Sequence, residues 1–286
     1  MTDNPLSQLI QKYQPLIEEA IQTSLCDFGS SGKLYEACAY ALTTGGKRFR
    51  PALVWIIADA LGSKNVKDAA LAVEYFHTAS LIADDLPCMD NDAMRRNRPT
   101  VHKAYGESTA LLSTYALISA GYLALHRASQ SLSLDQALKD RILAIAIETV
   151  SRNTGVQGAT GGQFLDLERS PNTPLEEILR LKTVTLFEIS FVFGWLFGGG
   201  KLQLLPIVQQ ASYHFGMAFQ IVDDLQDLQE DIAAKRPNYA ATYGVQKALQ
   251  AVEQEVSAFL KALDALSLNH SPLKELASNL LSSLQA

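Results

Sequence analysis

Ile207-Val-Gln-Gln-Ala-Ser-Tyr-His-Phe-Gly-Met-Ala-Phe-Gln220-Ile-Val-Asp223-Asp224-Leu-Gln-Asp227 is an apolar-rich helical run that ends in acids. At about 100° per residue, Gln220, Asp223 and Asp227 fall within roughly 60° of one another on a single helix face. A core helix would turn leucines to that face, not acids stacked beside an amide. With no His or Cys alongside, oxygen ligands of this kind suit a hard cation. Mg²⁺ usually takes only one or two protein carboxylates and completes its shell with substrate phosphates.

Working outward, the same helical periodicity continues along the chain, and sustained strand-like alternation is missing. Helices are predicted near 6–24, 33–43, 50–61, 66–86, 107–129, 135–151, 175–196, 203–230, 240–266 and 272–284. Pro87 and Pro99 bracket a stretch that leaves regular helix, and the glycines of 155–162 and 198–200 mark breaks or close backbone approaches. No Pro/Gly/Ser-rich linker divides residues 1–286, which predicts one all-α domain with a large core. The net charge of −6 argues against a nucleic-acid partner, which needs a broad basic face. Cys26, Cys38 and Cys88 have no paired or metal-like spacing, which suits a cytoplasmic protein with reduced thiols. Met1 to Ile10 lacks the basic and apolar regions of a secretory signal. Leu111 to Leu125 and Val184 to Gly200 fall short of about 20 clean apolar residues, so buried helices are expected rather than membrane spans.

A second acidic cluster lies about 140 positions upstream: Asp84-Asp85-Leu-Pro-Cys-Met-Asp90-Asn-Asp92-Ala-Met-Arg95-Arg96-Asn-Arg98. It follows the apolar run Leu71 to Ala83. Adjacent carboxylates raise one another's pKa unless a cation neutralises them. A lone pair would suit a solvated helix end, and the glycine and closing glutamate of an EF-hand are absent. Two acidic helix ends facing one another would instead grip a diphosphate through Mg²⁺. Gly45-Gly46-Lys47-Arg48-Phe49-Arg50-Pro51 enters a helix where backbone N–H groups favour anions. Together with Arg95 and Arg96 it predicts a separate, metal-free diphosphate pocket.

From Gly45-Gly46-Lys47-Arg48-Phe49-Arg50-Pro51 through both aspartate motifs, over roughly residues 40–245, the chain resembles the trans-isoprenyl diphosphate synthases. The resemblance implies the isoprenoid synthase fold, a bundle of about ten or more helices around a central cavity, usually in a homodimer. By position, Lys47, Arg50, His77 and Arg96 match the isopentenyl diphosphate site. Asp84, Asp85 and Asp90 match the first magnesium site, and Asp223, Asp224 and Asp227 the second, with three Mg²⁺ ions bound beside the allylic diphosphate. Arg95 matches a residue that holds that diphosphate. Lys182 and Thr183, after Gly161-Gly162-Gln163-Phe164-Leu165-Asp166, match the pair that lies with Gln220 along the allylic substrate. The implied reaction condenses isopentenyl diphosphate with dimethylallyl, geranyl or farnesyl diphosphate.

In this family the residues before the first motif line the tail pocket. Phe76, Ala79, Ser80 and Ala83 share a stripe of about 100°. Small residues at 79 and 80, with Phe76 as floor, favour geranylgeranyl diphosphate as product; farnesyl diphosphate is the alternative. Ala83, Thr114-Tyr115 and Arg236 depart from the family pattern, as does the ending Ser-Leu-Gln-Ala without a basic residue. Two rivals remain: a non-catalytic subunit, which would typically lose one aspartate motif, and a terpene cyclase, which would have no use for Lys47, Arg50 and Arg96.

Overall fold

The structure, a computed structural model, describes residues 9–63, 65–168, 173–234, 236–268 and 270–282. Lys235 and the ending at 283–286 lie outside the described residues, as do the outer ends of the first and last predicted helices. The helices are α1 Gln14–Ser24, α2 Lys33–Thr43, α3 Phe49–Ala60, α4 Lys67–Asp84, α5 Val101–Tyr105, α6 Glu107–Gln130, α7 Gln136–Thr154 and α8 Ala159–Glu168. They continue with α9 Leu175–Leu179, α10 Thr185–Phe197, α11 Leu205–Gln226, α12 Leu228–Ala234, α13 Tyr239–Tyr243, α14 Val245–Ala265 and α15 Pro272–Ser282. The all-α expectation of ten or more helices is met. A two-stranded hairpin, β1 Met94–Arg95 with β2 Arg98–Pro99, accounts for the non-helical stretch between the prolines.

Helix α10 is the axis of the bundle. Every residue from Thr185 to Phe197 is buried except Glu188, as its near-continuous apolar run requires. Gly194 lets it cross α3 closely, since a Cβ there would stand 2.8 Å from Ile57 Cβ and 3.0 Å from the Val54 carbonyl oxygen. Phe49, Phe187, Phe215 and Phe219 interlock at centroid spacings of 5.1–6.3 Å and tie α3, α10 and α11 together. Alongside this axis, α4 lies against α6. The buried residues of α6, among them Ala110, Ser113, Leu117, Gly121, Ala124 and Ala128, recur at helical spacing and are mostly small, which lets the two helices approach closely. Its opposite face leaves Leu112, Tyr115 and Leu123 exposed, and the flank carries the partly exposed Leu111, Ile118 and Tyr122. Among the described residues α6 is the helix long and apolar enough to cross a membrane, although the expectation from sequence is a buried helix.

Several boundaries differ from the predicted ones. The helix expected over 175–196 carries a π turn at Arg180–Val184. The helix expected over 203–230 breaks at Asp227, and that over 240–266 breaks at Gly244, whose φ of +92° suits glycine. The glycines of 155–162 form a turn and then enter α8, a helix not predicted from the sequence.

One buried ion cluster fixes the entry to α3. Arg48, at φ +49°, turns inward with its side chain fully buried. Its guanidinium donates to Glu18 Oε1 at 2.7 Å, to Glu74 Oε1 on α4 and to the Leu42 carbonyl at 2.5 Å. Of the basic cluster 47, 48 and 50, Arg48 is therefore structural. Removing one partner of a buried pair leaves the other charge uncompensated. Glu74→Ala is expected to lower unfolding stability by about 3 kcal/mol, read as a drop in the urea midpoint with an unchanged denaturant slope.

Candidate active site

Asp84 is the last residue of α4, and Asp223 and Asp224 lie in the last turn of α11. Neither last turn holds a basic residue, so these acids sit at the negative ends of two helix dipoles, where a cation is favoured. Both ends open on one cavity of about 800 Å³, which Asp90, Asp92, Asp227 and Asp231 also line. Among the described residues no three metal-binding side chains are gathered tightly enough to hold an ion alone. The donors that line the cavity are carboxylates without His or Cys, a set that suits a hard cation such as Mg²⁺ completed by substrate oxygens.

In each adjacent pair the two acids are used differently. Asp85 is buried and does not line the cavity. Arg95 grips it through Nε at 2.9 Å and Nη2 at 2.6 Å. Asp85 is expected from the sequence to join Asp84 and Asp90 at the metal; in the fold its oxygens accept from a guanidinium brought back by the hairpin. Arg95 itself reaches the cavity rim, 3.8 Å from Asp92. Asp224 likewise accepts from Gln220 Nε2 at 2.7 Å and from the Tyr239 backbone N–H at 2.6 Å. Burial raises the Asp84 pKa to about 6, opposed by Lys182 and reinforced by Asp90. Burial also raises Asp224 to about 6, opposed by the Tyr239 N–H, and raises Asp223, with Asp227 adding to it.

The basic residues cluster next to Asp223, whose carboxylate feels both Lys47 and Arg50. Arg50 stacks over the Phe187 ring at 4.7 Å and lies 3.5 Å from His77 Nε2, while its own Nε has no partner. Loss of hydration pushes Arg50 down to about 10. Burial, then the nearby Arg50 and Arg96, holds His77 well below its ordinary pKa and therefore neutral. Arg96 donates to the Gly45 carbonyl and its guanidinium lies over Gly46, whose φ of +128° suits glycine. An anion reaching this cluster would meet Lys47, Arg50 and Arg96 together.

Across the acidic cavity stands the π turn. A Cβ on Gly162 would overlap the backbone of Lys182, so α8 lies directly against that turn. The contact brings Lys182 Nζ to 2.6 Å from Asp166 Oδ2, and places Lys182, Thr183 and Gln220 on the cavity wall. π turns recur at functional sites because the extra residue re-aims side chains. Below Asp84 an apolar cleft of about 430 Å³ runs past Ala83, Ser80 and Ala79 to Phe76, and it shares Asp84, Met89 and Lys182 with the acidic cavity.

The polyprenyl synthetase family profile matches residues 31–261 of the 286. The chain belongs to that family. It is 30% identical over 275 residues to the farnesyl diphosphate synthase of Geobacillus stearothermophilus, covering 92% of this chain and 91% of that protein. It is 37% identical over 220 residues to the heterodimeric geranylgeranyl pyrophosphate synthase large subunit 2 of Arabidopsis thaliana, covering 74% of this chain and 55% of the relative. The geranyltransferase structure from Legionella pneumophila superposes with a TM-score of 0.84 at 27% identity, covering 98% of each chain. The chain thus spans about half the length of the plant relative and nearly all of the bacterial ones.

In this chain several site residues escape a reading of sequence alone. Asp231 lines the cavity one turn beyond Asp227, a spacing that the helical period could have exposed. Gln163 Nε2 donates to Asp90 Oδ1 at 3.3 Å across 73 residues, and Asn238 Nδ2 ties the Asp224 carbonyl at 2.6 Å. Neither contact has a local signal. Arg236 lines the cavity rim, 4.0 Å from Glu230.

The raised carboxyl pKa values carry a sign for stability. Asp84 has an ordinary value of 3.8 and a folded value of about 6. The folded state therefore holds this proton more tightly, and the stability it confers is present below pH ~4 and lost as pH rises through ~6. In metal-free protein, Asp84→Asn is expected to raise stability at pH 7 by about 1–2 kcal/mol, a figure reduced for partial exposure. Urea titrations at pH 4 and pH 7 check this, with the gain shrinking at the lower pH.

Proposed function

We propose that this chain is a Mg²⁺-dependent short-chain trans-prenyltransferase that condenses isopentenyl diphosphate with an allylic diphosphate. The observation that carries this reading is one acidic cavity joining two helix ends, continuous with an apolar cleft and with a basic cluster beside Asp223. Asp84, Asp90, Asp223 and Asp227 would hold Mg²⁺ together with the allylic diphosphate. Bound there, the metal supplies Lewis-acid stabilisation of the leaving oxygens.

The chain's own groups account for the rest. Lys182 and Arg95 stand on the cavity wall, where they stabilise negative charge developing on the departing diphosphate. Lys47, Arg50 and Arg96, beside neutral His77, hold isopentenyl diphosphate without metal. As the allylic C1–O bond breaks, the isopentenyl double bond attacks C1, and a proton then passes to the released diphosphate. The oxygen dipoles of Thr183 and Gln220 face the allylic cation, and the apolar cleft keeps water from it. Arg236 extends the positive rim. Both aspartate motifs meet at the one cavity, which supports a catalytic chain over a non-catalytic subunit, and the basic cluster has no use in a cyclase.

Ala79 and Ser80 leave the cleft open as far as Phe76. Phe76 lies eight residues before Asp84, about 12 Å along the helix, whereas position 79 lies about 7.5 Å away. The greater depth favours geranylgeranyl over farnesyl diphosphate as product. The exposed apolar face of α6 supports a homodimer that buries Leu112, Tyr115 and Leu123. Cys26, Cys38 and Cys88 are free thiols, in keeping with a cytoplasmic enzyme.

The test incubates purified protein and Mg²⁺ with labelled isopentenyl diphosphate and allylic primers of increasing length. Chain extension supports the proposal; hydrocarbon formation or no turnover overturns it. Asp84→Ala and Asp223→Ala are each expected to slow turnover by at least ~10²-fold, the scale for losing one preorganised electrostatic partner. Ala79→Tyr is expected to shift products to a shorter chain in the same assay.

A further inference from the structure

Gly121 is buried on the inner face of α6, and the ring of Phe76 occupies the place where its side chain would be. A Cβ built on Gly121 would stand 2.6 Å from Phe76 Cζ and 2.8 Å from Cε1. Carbon atoms pack at about 3.5–4.0 Å, so even a methyl group cannot share that space. Tyr122 closes the berth from the side, edge-on to Phe76 with ring centroids 5.3 Å apart. The other side of Phe76 forms the floor of the apolar cleft. The ring is therefore packed back against bare backbone, and the depth of the cleft depends on that retreat.

If position 121 carried a methyl, either the helices or the ring would have to yield. Helices α4 and α6 are long and packed together, and close-packed interiors resist separation. A side chain instead moves between staggered wells, so the ring swings rather than slides. Its open side is the cleft. We propose that Gly121 is a specificity-determining residue for prenyl transfer: it holds the floor residue Phe76 out of the cleft and so sets the length of tail the protein can accommodate. This inference rests on the cleft being the tail pocket of the proposed enzyme. Gly121 would touch no substrate and would act through the ring.

The experiment compares unaltered protein, Gly121→Ala, Phe76→Ala and the double variant, with isopentenyl and dimethylallyl diphosphates and analysis of dephosphorylated products. Gly121→Ala is expected to raise the ratio of shorter to longest product by at least about tenfold, the scale for one methylene in an apolar pocket. Consumption of the short primer should stay within about threefold of the unaltered protein, as substrate contacts are untouched. Phe76→Ala should lengthen the product, and Gly121→Ala added to it should have no further effect, because the ring that transmits it is gone. The inference is overturned by an unchanged ratio in Gly121→Ala, or by equal shortening in the double variant. Phe76→Ala is an independent test even where Gly121→Ala does not fold: products no longer than those of the unaltered protein overturn the inference. Absence of condensation by the unaltered protein overturns the parent reading as well, whereas condensation with unaltered product lengths overturns this inference alone.

Discussion

Two carboxylates adjacent in sequence cannot both be left ionised in a recessed cavity without cost, and this protein places two such pairs at opposite sides of one. At about 4 Å, like charges repel by roughly 4 kcal/mol at a protein-like dielectric. The fold divides each pair. Asp84, Asp223 and Asp224 line the cavity, but Asp85 is claimed by Arg95, and Asp224 is also held by Gln220 and the Tyr239 amide. Much of the surrounding architecture serves this division. The β1–β2 hairpin returns Arg95 to Asp85, and the segment after α12 brings Tyr239 and Asn238 back under α11.

The acids left facing the cavity are also at the wrong end of their helices. Both α4 and α11 point their negative ends inward, so helix dipole, burial and mutual repulsion all act in the same direction. Each raises the proton affinity of Asp84 and Asp223 in the protein by itself, and each makes a bound cation more welcome. The basic cluster shows the converse state. Arg50 is dehydrated and leaves Nε without a partner, so an entering anion would meet an under-solvated charge. The fold thus sets complementary demands close together, which under the proposed function would order a metal-bound and a metal-free diphosphate.

Helix α6 joins two consequences. Its inner stripe of small residues admits α4 closely and gives the Phe76 ring its berth at Gly121. Its outer stripe leaves large apolar side chains exposed. A substitution on one face therefore bears on the packing around Phe76, and one on the other on an exposed apolar surface, although the residues alternate along a single helix. The neighbouring π turn works by a comparable close approach, because Gly162 allows α8 to reach the Lys182 backbone and sets Lys182 against Asp166.

The sequence by itself determined the all-helical class, the long helices and the chemical character of the site, because helical period and residue type are local properties. The apolar runs ending in Asp84 and in Asp223 declare both helices and both acidic ends. Shorter features were not legible. The π turn at 180–184 and the start of α8 in a glycine-rich stretch depend on the contact between Gly162 and Lys182. Only the tertiary structure decided which acid of each pair is claimed by a donor from elsewhere in the chain: Arg95 takes Asp85, and the Tyr239 amide takes Asp224. It also decided that Arg48 turns inward to Glu18 and Glu74 while Lys47 and Arg50 do not. Neighbouring residues of one type are equivalent in a sequence; the groups that the folded chain brings against them make them different.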